Sequence, residues 1–594
     1  MKLTELRLKN FKSVGAEEQV LAFSAITLLF GPNSVGKSTV LQALVFLHEV
    51  VNHQNLNHDQ TVLGGDAMDL GGFKNLVHGR DDSEAIVIGV SFELDAHEMP
   101  DYLSEYEINL LNEAGLPEVQ DIFEAVNHAS ITLTLRWSML LDAAYVEKYE
   151  CKLNDETIAV IEASPDGKRV RLESLQLTYE GFSDPLIFEE EGITFIDILA
   201  EVLDAGPGQQ FTQSRPLRDD SIDDLEKLYE GLEDPKTSKL LLLQLREELE
   251  QRTSRRAKNL EGKVVRLLDQ SSTVPVREFI ELNGLTQALP DTRTGIEIDS
   301  ELWVPDSDIE EHDRPKKLLA RALLDVAICG PLKVLSDWLE ELSYIGPLRD
   351  LPPRNILPRM SPDSSRWARG LAAWESLPAA SDELVKELNY WMGDACLKIG
   401  YQLQVKRYRE LEDSHPIYLM LESDSETDDR IVMKELLDEL HPKVRVSLIE
   451  DDTELEVMPQ DIGVGVSQIF PVLTMAVTKK DGLAAIEQPE LHIHPRLQTE
   501  LADVFIRYAI QSNVMFLLET HSEHLMLRML RRVREAENHL NDQKSLSPDD
   551  LAVHYVESGS EGTKFSQLRV SEDVDFIDEW PDGFFDERDE ELFF

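Results

Sequence analysis

Cysteine is scarce in this chain: three in 594 residues, Cys151, Cys329 and Cys396, far apart. That excludes a disulfide framework and a clustered CxxC metal site, and it fits a reducing cytoplasm. Positive charge is also short, with 58 Lys and Arg against 113 Asp and Glu, a net charge of −55. Such a chain repels nucleic acid on average, so a DNA site would have to be a local basic patch. A salty habitat or a basic protein partner would also account for the acidity. No apolar run reaches the length of a membrane span. The opening residues Met1-Lys-Leu-Thr-Glu-Leu-Arg7 do not read as a signal peptide. The expected location is cytoplasmic, with no membrane contact. Internal repeats are lacking too, which excludes a solenoid.

What is present begins at Gly31-Pro-Asn-Ser-Val-Gly-Lys-Ser-Thr39, which fits GxxxxGK[ST]. Ala25 to Phe30 before it is a buried-strand run, and Val40 to Val51 after it is long and apolar enough for a helix. That strand–loop–helix setting is what a phosphate-binding loop requires. Gly31 and Gly36 let backbone N–H groups close around phosphates, with Asn33, Ser34 and Thr39 in the same loop. The helix start adds partial positive charge. Lys37 is expected to reach the β- and γ-phosphates of ATP, and the Ser38 hydroxyl to ligate Mg2+.

At this length two or more domains are expected. Met1 to Val14 reads as an edge strand, with Phe11 and Lys12 placed either to touch a nucleotide base or to pack on the core. His53 to Asp82 reads as a surface connection. Strands are expected at Ala85–Phe92, Ser130–Trp137, Lys148–Ile161 and Val170–Tyr179, forming a sheet on the nucleotide lobe. Lys239 to Leu268 has helical periodicity and carries a basic cluster at Arg252, Arg255, Arg256 and Lys258. Arg314 opens an Ala/Leu-rich helix. Ser343 to Arg349 is a short strand and Gly-Pro turn. Strands are expected near Gln402–Arg407 and Ile417–Leu421, with a hairpin over Val444–Met458.

Three segments then complete a site. Asp461-Ile-Gly-Val-Gly-Val-Ser-Gln468 precedes a helical run. Its Gly463, Gly465, Ser467 and Gln468 form a second anion nest. Gly482–Ile486 is a buried-strand run ending in Glu487-Gln488-Pro489-Glu490. An acid at that end of a core strand is the Walker B arrangement, so Glu487 is expected to hold Mg2+ through water. Pro495 suits the first turn of the next helix. Val514–Leu518 is a further core strand, ending in Glu519-Thr-His-Ser522, with His521 where a γ-phosphate sensor would sit.

In this order the motifs resemble the ABC-head-like AAA ATPases related to the OLD, RecF and SMC proteins. The resemblance covers the start of the chain and roughly residues 340 to 535. The Trp580–Asp586 segment is similar to the tail of one branch of uncharacterised AAA ATPases. Relatives include ATPase subunits of bacterial anti-phage systems of the Septu and retron-associated types. The implied fold is α/β: a P-loop NTPase with an ABC-type head, a mixed sheet flanked by helices, plus an inserted helical and β subdomain. The implied division is 1–95 and 341–535 for the two parts of the head, 96–340 for the insertion and 536–594 for an acidic tail domain.

The resemblance further implies a signature motif at Gly463–Gln468, contributed in trans across a homodimer or higher oligomer of heads. It implies a D-loop near His494, a switch histidine at His521, and a Q-loop counterpart at Gly346–Arg349. Long SMC arms and a TOPRIM nuclease module are lacking, so a nuclease or toxin activity would come from a protein partner. The position after the Walker B acid, often a water-polarising glutamate in the wider family, is Gln488. An amide orients water but cannot take its proton, so ATP hydrolysis is expected to be slow unless Glu490 substitutes. The leading reading is an ATP-controlled switch governing an effector in anti-phage defence. The rivals are a DNA-repair or chromosome clamp, for which Arg528, Arg531 and Arg532 would supply a basic face, and a non-catalytic nucleotide-bound scaffold.

Overall fold

The computed structural model describes residues 1–57, 60–95, 98–175, 280–282, 284–296, 314–352, 363–412, 414–418, 435–441, 443–537 and 546–569. The expected helix and basic cluster at 239–268 and the 580–586 segment lie outside these residues, as do 176–179 and 419–421 of two expected strands; Ile417 and Tyr418, expected to open the second of these, are helical instead.

The site rests on a six-stranded sheet. Its order is Ser343–Ile345, Asp481–Glu487, Asn513–Glu519, Ile26–Phe30, Leu551–Gly559 and Gly562–Leu568. The first five strands are parallel and the last pairs antiparallel. Successive strand side chains point to opposite faces, so a sheet covered on both sides needs apolar residues throughout. Ile26–Phe30 is accordingly buried at every position. Leu29, Leu483, Ala485, Met515 and Leu517 enter one core. Ile26, Leu28, Phe30, Ala484, Ile486, Phe516 and Leu518 enter the other. Burying one such large side chain stabilises by about 1.5–3 kcal/mol, so this alternation fixes the register strongly.

The first core is shared with helix Ser38–His53, the long helix Arg314–Glu340 and a larger, eight-stranded sheet. That sheet includes Lys2–Lys9, Gln19–Ala22, Ile86–Glu93, His128–Ser138, Ala143–Leu153, Glu156–Ala163 and Val170–Leu175. Asn52 of the first helix donates to the Ser336 carbonyl of the long one at 2.9 Å. The second core packs helices Val464–Thr478, Pro495–Gln511 and Glu523–Glu537 under the six-stranded sheet. Trp374 stacks on Phe470 there, 4.1 Å between centroids.

Several expectations need correction. The first strand is not an edge: Lys2–Lys9 pairs with Gln19–Ala22 on one side and Ile86–Glu93 on the other. The divide at 95/96 falls inside one sheet, because Ile86–Glu93 pairs along its whole length with His128–Ser138. The divide at 535/536 also fails for the described residues. Leu551–Gly559 pairs with Ile26–Phe30, so the C-terminal hairpin belongs to the head sheet. The His53–Asp82 connection is more than surface, since Leu63, Met68, Leu70, Phe73 and Leu76 are buried.

Candidate functional site

The parallel register brings the ends of three strands together. Glu487 stands beside Glu519, and Glu519 beside Leu29, two residues before Gly31. A cavity of about 480 Å3 opens there, lined by Asn33, Ser34, Gly36, Lys37, Ser38, Thr39, Gln42, Glu487, Gln488 and Glu519. Gly31 does not line it. A Cβ on Gly31 would come within 2.2 Å of the Val556 carbonyl, and φ is +143° there, so only glycine fits.

Lys37 is 3% exposed and donates to the carbonyls of Gly31 at 2.9 Å and Pro32 at 2.7 Å. Burial lowers its pKa, opposed by Glu519, Glu490 and Glu487. The Ser38 hydroxyl donates to Glu519 Oε2 at 2.7 Å. Glu519 was not among the expected site residues, although it carries the same signal as Glu487: an acid ending a core strand. Tyr344 donates to Glu487 Oε1 at 2.8 Å. Burial, then the neighbouring Glu519 charge, pushes the Glu487 carboxyl up to about 7. Burial raises Glu519 as well. Two crowded carboxylates and a hydroxyl are hard oxygen ligands suited to Mg2+, which keeps water and phosphate oxygens as its other partners. A bound cation would relieve the repulsion between the two acids. Ser38, Glu519 and Glu487 are therefore the residues present that fit it.

Gln488 and Glu490 differ sharply. Gln488 is half-buried, adopts a left-handed φ of 44°, and lines the cavity. Glu490 does not line it. Its two carboxylate oxygens accept from the Thr520 hydroxyl at 2.8 Å and the His521 N–H at 2.7 Å. Glu490, the alternative base should Gln488 not serve, thus ties the turn after Asn513–Glu519. His521 does not line the cavity either. Burial and then Lys37 lower its pKa, and among the described residues its buried Nε2 has no hydrogen-bond partner.

The segment Gly463–Gln468, expected as a signature motif, divides in two. Gly463 is the exposed residue before helix Val464–Thr478, and Val464 is 56% exposed. Gly465 is half-buried. Ser467 and Gln468 turn inward, contrary to expectation. The Ser467 hydroxyl donates to the Val464 carbonyl at 2.8 Å. The Gln468 amide accepts from Arg349 N–H at 3.3 Å and donates to Arg349 carbonyl at 2.8 Å. Arg349, 5% exposed, in turn donates to the carbonyls of Glu487 at 2.7 Å and Gln488 at 3.2 Å. Burial lowers its pKa to about 10, which leaves it charged at neutral pH. One residue therefore ties the Glu487 strand end, through its side chain, to the helix carrying Gly463 and Gly465, through its backbone. Gly346–Arg349, the expected Q-loop counterpart, supplies this arginine in place of a glutamine.

Other expected features resolve plainly. Phe11 is fully buried and stacks on Phe46 at 5.9 Å between centroids, so it is a core residue. Lys12 lines a second cavity of about 730 Å3, with Asp69, Asn75 and Arg80. His494 caps helix Pro495–Gln511 by accepting from Arg496 N–H at 3.2 Å. Among the described residues no group of three or more His, Cys, Asp or Glu is arranged to hold a metal. Arg528 pairs with Glu500 at 2.8 Å and Asp503 at 3.0 Å. Arg532 pairs with Asp503 at 2.6 Å, and Arg531 with Glu535 at 2.8 Å. No described helix is long and apolar enough to cross a membrane.

Comparison with known proteins adds the following. No curated protein matches the chain. A solved SMC head domain from Pyrococcus furiosus, bound to the C-terminal domain of ScpA, is 12% identical, with 96% of each chain covered and a TM-score of 0.34. An SMC head domain from Thermotoga maritima is 9% identical over 96% of this chain and 100% of that one, with a TM-score of 0.32. Likeness at that level decides nothing about the site. A family model for a protein of unknown function (DUF3696) matches residues 546–593. The model of the AAA ATPase domain matches residues 1–259 and 375–526, well over half of the sequence, and spans the phosphate-binding loop, Gly463–Gln468, Glu487 and His521. The chain is a P-loop ATPase of α/β fold and belongs to the AAA ATPase domain family.

Proposed function

We propose that two copies of this chain close around ATP and Mg2+, the phosphate loop of one facing the Gly463–Gly465 helix start of the other. The carrying observation is that the 480 Å3 cavity has no lining residue from 463–468, while Gly463 and Val464 are exposed. A second anion nest that does not reach the first cavity suits a partner's phosphate. Lys37 and the loop amides would hold the phosphates, with Ser38, Glu519 and Glu487 holding the cation. The cation's contribution is charge neutralisation on the β- and γ-phosphates. Lys12 and its cavity would serve the base end.

Gln488 would orient the attacking water without accepting its proton, so hydrolysis is slow and the ATP-bound assembly long-lived. Arg349 would transmit the state of the Walker B end to the Gly463 helix, and so to the partner copy. We read the whole as a nucleotide-controlled switch acting on a separate effector protein, a nuclease or toxin, in anti-phage defence. The DNA-clamp reading has less support, because Arg528, Arg531 and Arg532 all have acidic partners. Calorimetry of ATP binding tests the site. Lys37→Ala should abolish binding, whereas wild-type affinity in that variant would remove the assignment.

A further inference from the structure

The C-terminal hairpin, inside the segment that matches a family of unknown function, touches the phosphate-binding loop at both ends. At one end, the Val556 carbonyl backs directly onto Gly31. At the other stands Thr563, 4% exposed. Its N–H donates to the Ser13 carbonyl at 2.8 Å, and its hydroxyl donates to the Val35 carbonyl at 2.6 Å. The Ser13 hydroxyl is itself 2.8 Å from the Thr39 hydroxyl. A Cβ on Gly36 would lie 2.1 Å from Ser13 Oγ and 2.6 Å from Thr563 Oγ1. Thr563 is therefore in direct contact with the Val35–Gly36 part of the loop, although it lies more than five hundred positions away in sequence.

The chemistry follows from peptide geometry. In a trans peptide the carbonyl of one residue and the N–H of the next point in opposite directions. Anchoring the Val35 carbonyl on Thr563 thus aims the Gly36 N–H away from the hairpin, and Gly36 lines the cavity on its other side. An anion nest binds well only when its N–H groups are aimed before the ligand arrives. We propose that the hairpin is part of the nucleotide-binding machinery, with Thr563 the positioning residue that holds the phosphate loop in its binding shape. The inference rests on the reading of this cavity as a phosphate site.

The test uses the full chain and three variants, Thr563→Val, Thr563→Ala and Thr563→Ser. Valine keeps the shape and removes the hydroxyl; alanine removes it without a branched side chain, should valine fail to fold; serine restores it. Losing the hydroxyl should weaken binding of a fluorescent ATP analogue roughly tenfold and raise KM for ATP, with kcat little changed. Serine should bind as wild type does. Wild-type affinity in both hydroxyl-free variants, or equal loss in the serine variant, overturns the proposal. Amide hydrogen exchange over residues 31–40 without nucleotide provides a readout independent of ATP. Faster exchange in the hydroxyl-free variants supports the proposal, and unchanged exchange overturns it. If wild type itself fails to bind ATP while exchange changes as expected, the cavity reading fails and the hairpin's hold on the loop stands.

Discussion

Replacing Gln488 by glutamate should accelerate ATP hydrolysis and leave ATP binding intact. The backbone at this position is held from two sides, by its own N–H on the Glu519 carbonyl at 2.7 Å and by Arg349 on its carbonyl at 3.2 Å. The substitution therefore changes one side-chain group without moving the loop. The new carboxylate would stand in the cavity with Lys37, Glu487 and Glu519. Burial and two acidic neighbours would raise its pKa, and Lys37 would oppose them. A base moved toward neutrality is better matched to proton transfer than an exposed glutamate. General-base help is worth about 100- to 10,000-fold, so an increase of roughly a hundredfold or more is the expected result. Single-turnover phosphate release with labelled ATP measures it directly. Glu490→Gln is the control: Glu490 is engaged with Thr520 and His521, so this change should loosen that turn without removing a base. An unchanged rate in Gln488→Glu, together with complete loss in Glu490→Gln, would refute the reasoning and make Glu490 the base.

Other outcomes follow from the same contacts. Arg349→Met keeps the backbone link to Gln468 but strips the partners from two carbonyls, which should destabilise the head by about 2–4 kcal/mol and lower its melting temperature in a thermal-shift assay. His554 is buried with Nε2 on the Ala22 carbonyl, and burial lowers its pKa to about 4. The unfolded chain then binds the extra proton first, so stability contributed by neutral His554 is complete above about pH 6.5 and is lost as pH falls toward 4, by about 3 kcal/mol. Denaturant midpoints between pH 4 and 7 should fall less steeply in His554→Gln than in wild type; parallel slopes would contradict this.

The phosphate loop, the two core strands after it and the helix starts were legible because each is set by local pattern. Strand neighbours were not. An alternating strand reads the same at an edge or inside a sheet, which is why Lys2–Lys9 was misplaced. Glu519 and Glu487 meet only because Asn513–Glu519 lies between Asp481–Glu487 and Ile26–Phe30. Local sequence holds nothing of that order. Gln488 and Glu490 both follow a strand end, and a left-handed φ at Gln488 decides which side chain reaches the cavity. The spacing of Arg528, Arg531 and Arg532 gave a helix face correctly, but the acids opposing it sit partly on another helix, at Glu500 and Asp503. The hairpin at 551–568 was missed for the same reason: its partner strand lies at residues 26–30.

In the proposed composite ATP site the Gly463–Gly465 helix start acts in trans. Complementation between Lys37→Ala and Gly465→Glu measures it most directly. Each variant alone should hydrolyse no ATP, because every site in its dimer lacks one half. An equal mixture should regain about a quarter of wild-type activity, since half the dimers are mixed and each holds one intact site. If the mixture regains nothing, or if either variant hydrolyses ATP normally as a monomer, the two-copy site is contradicted.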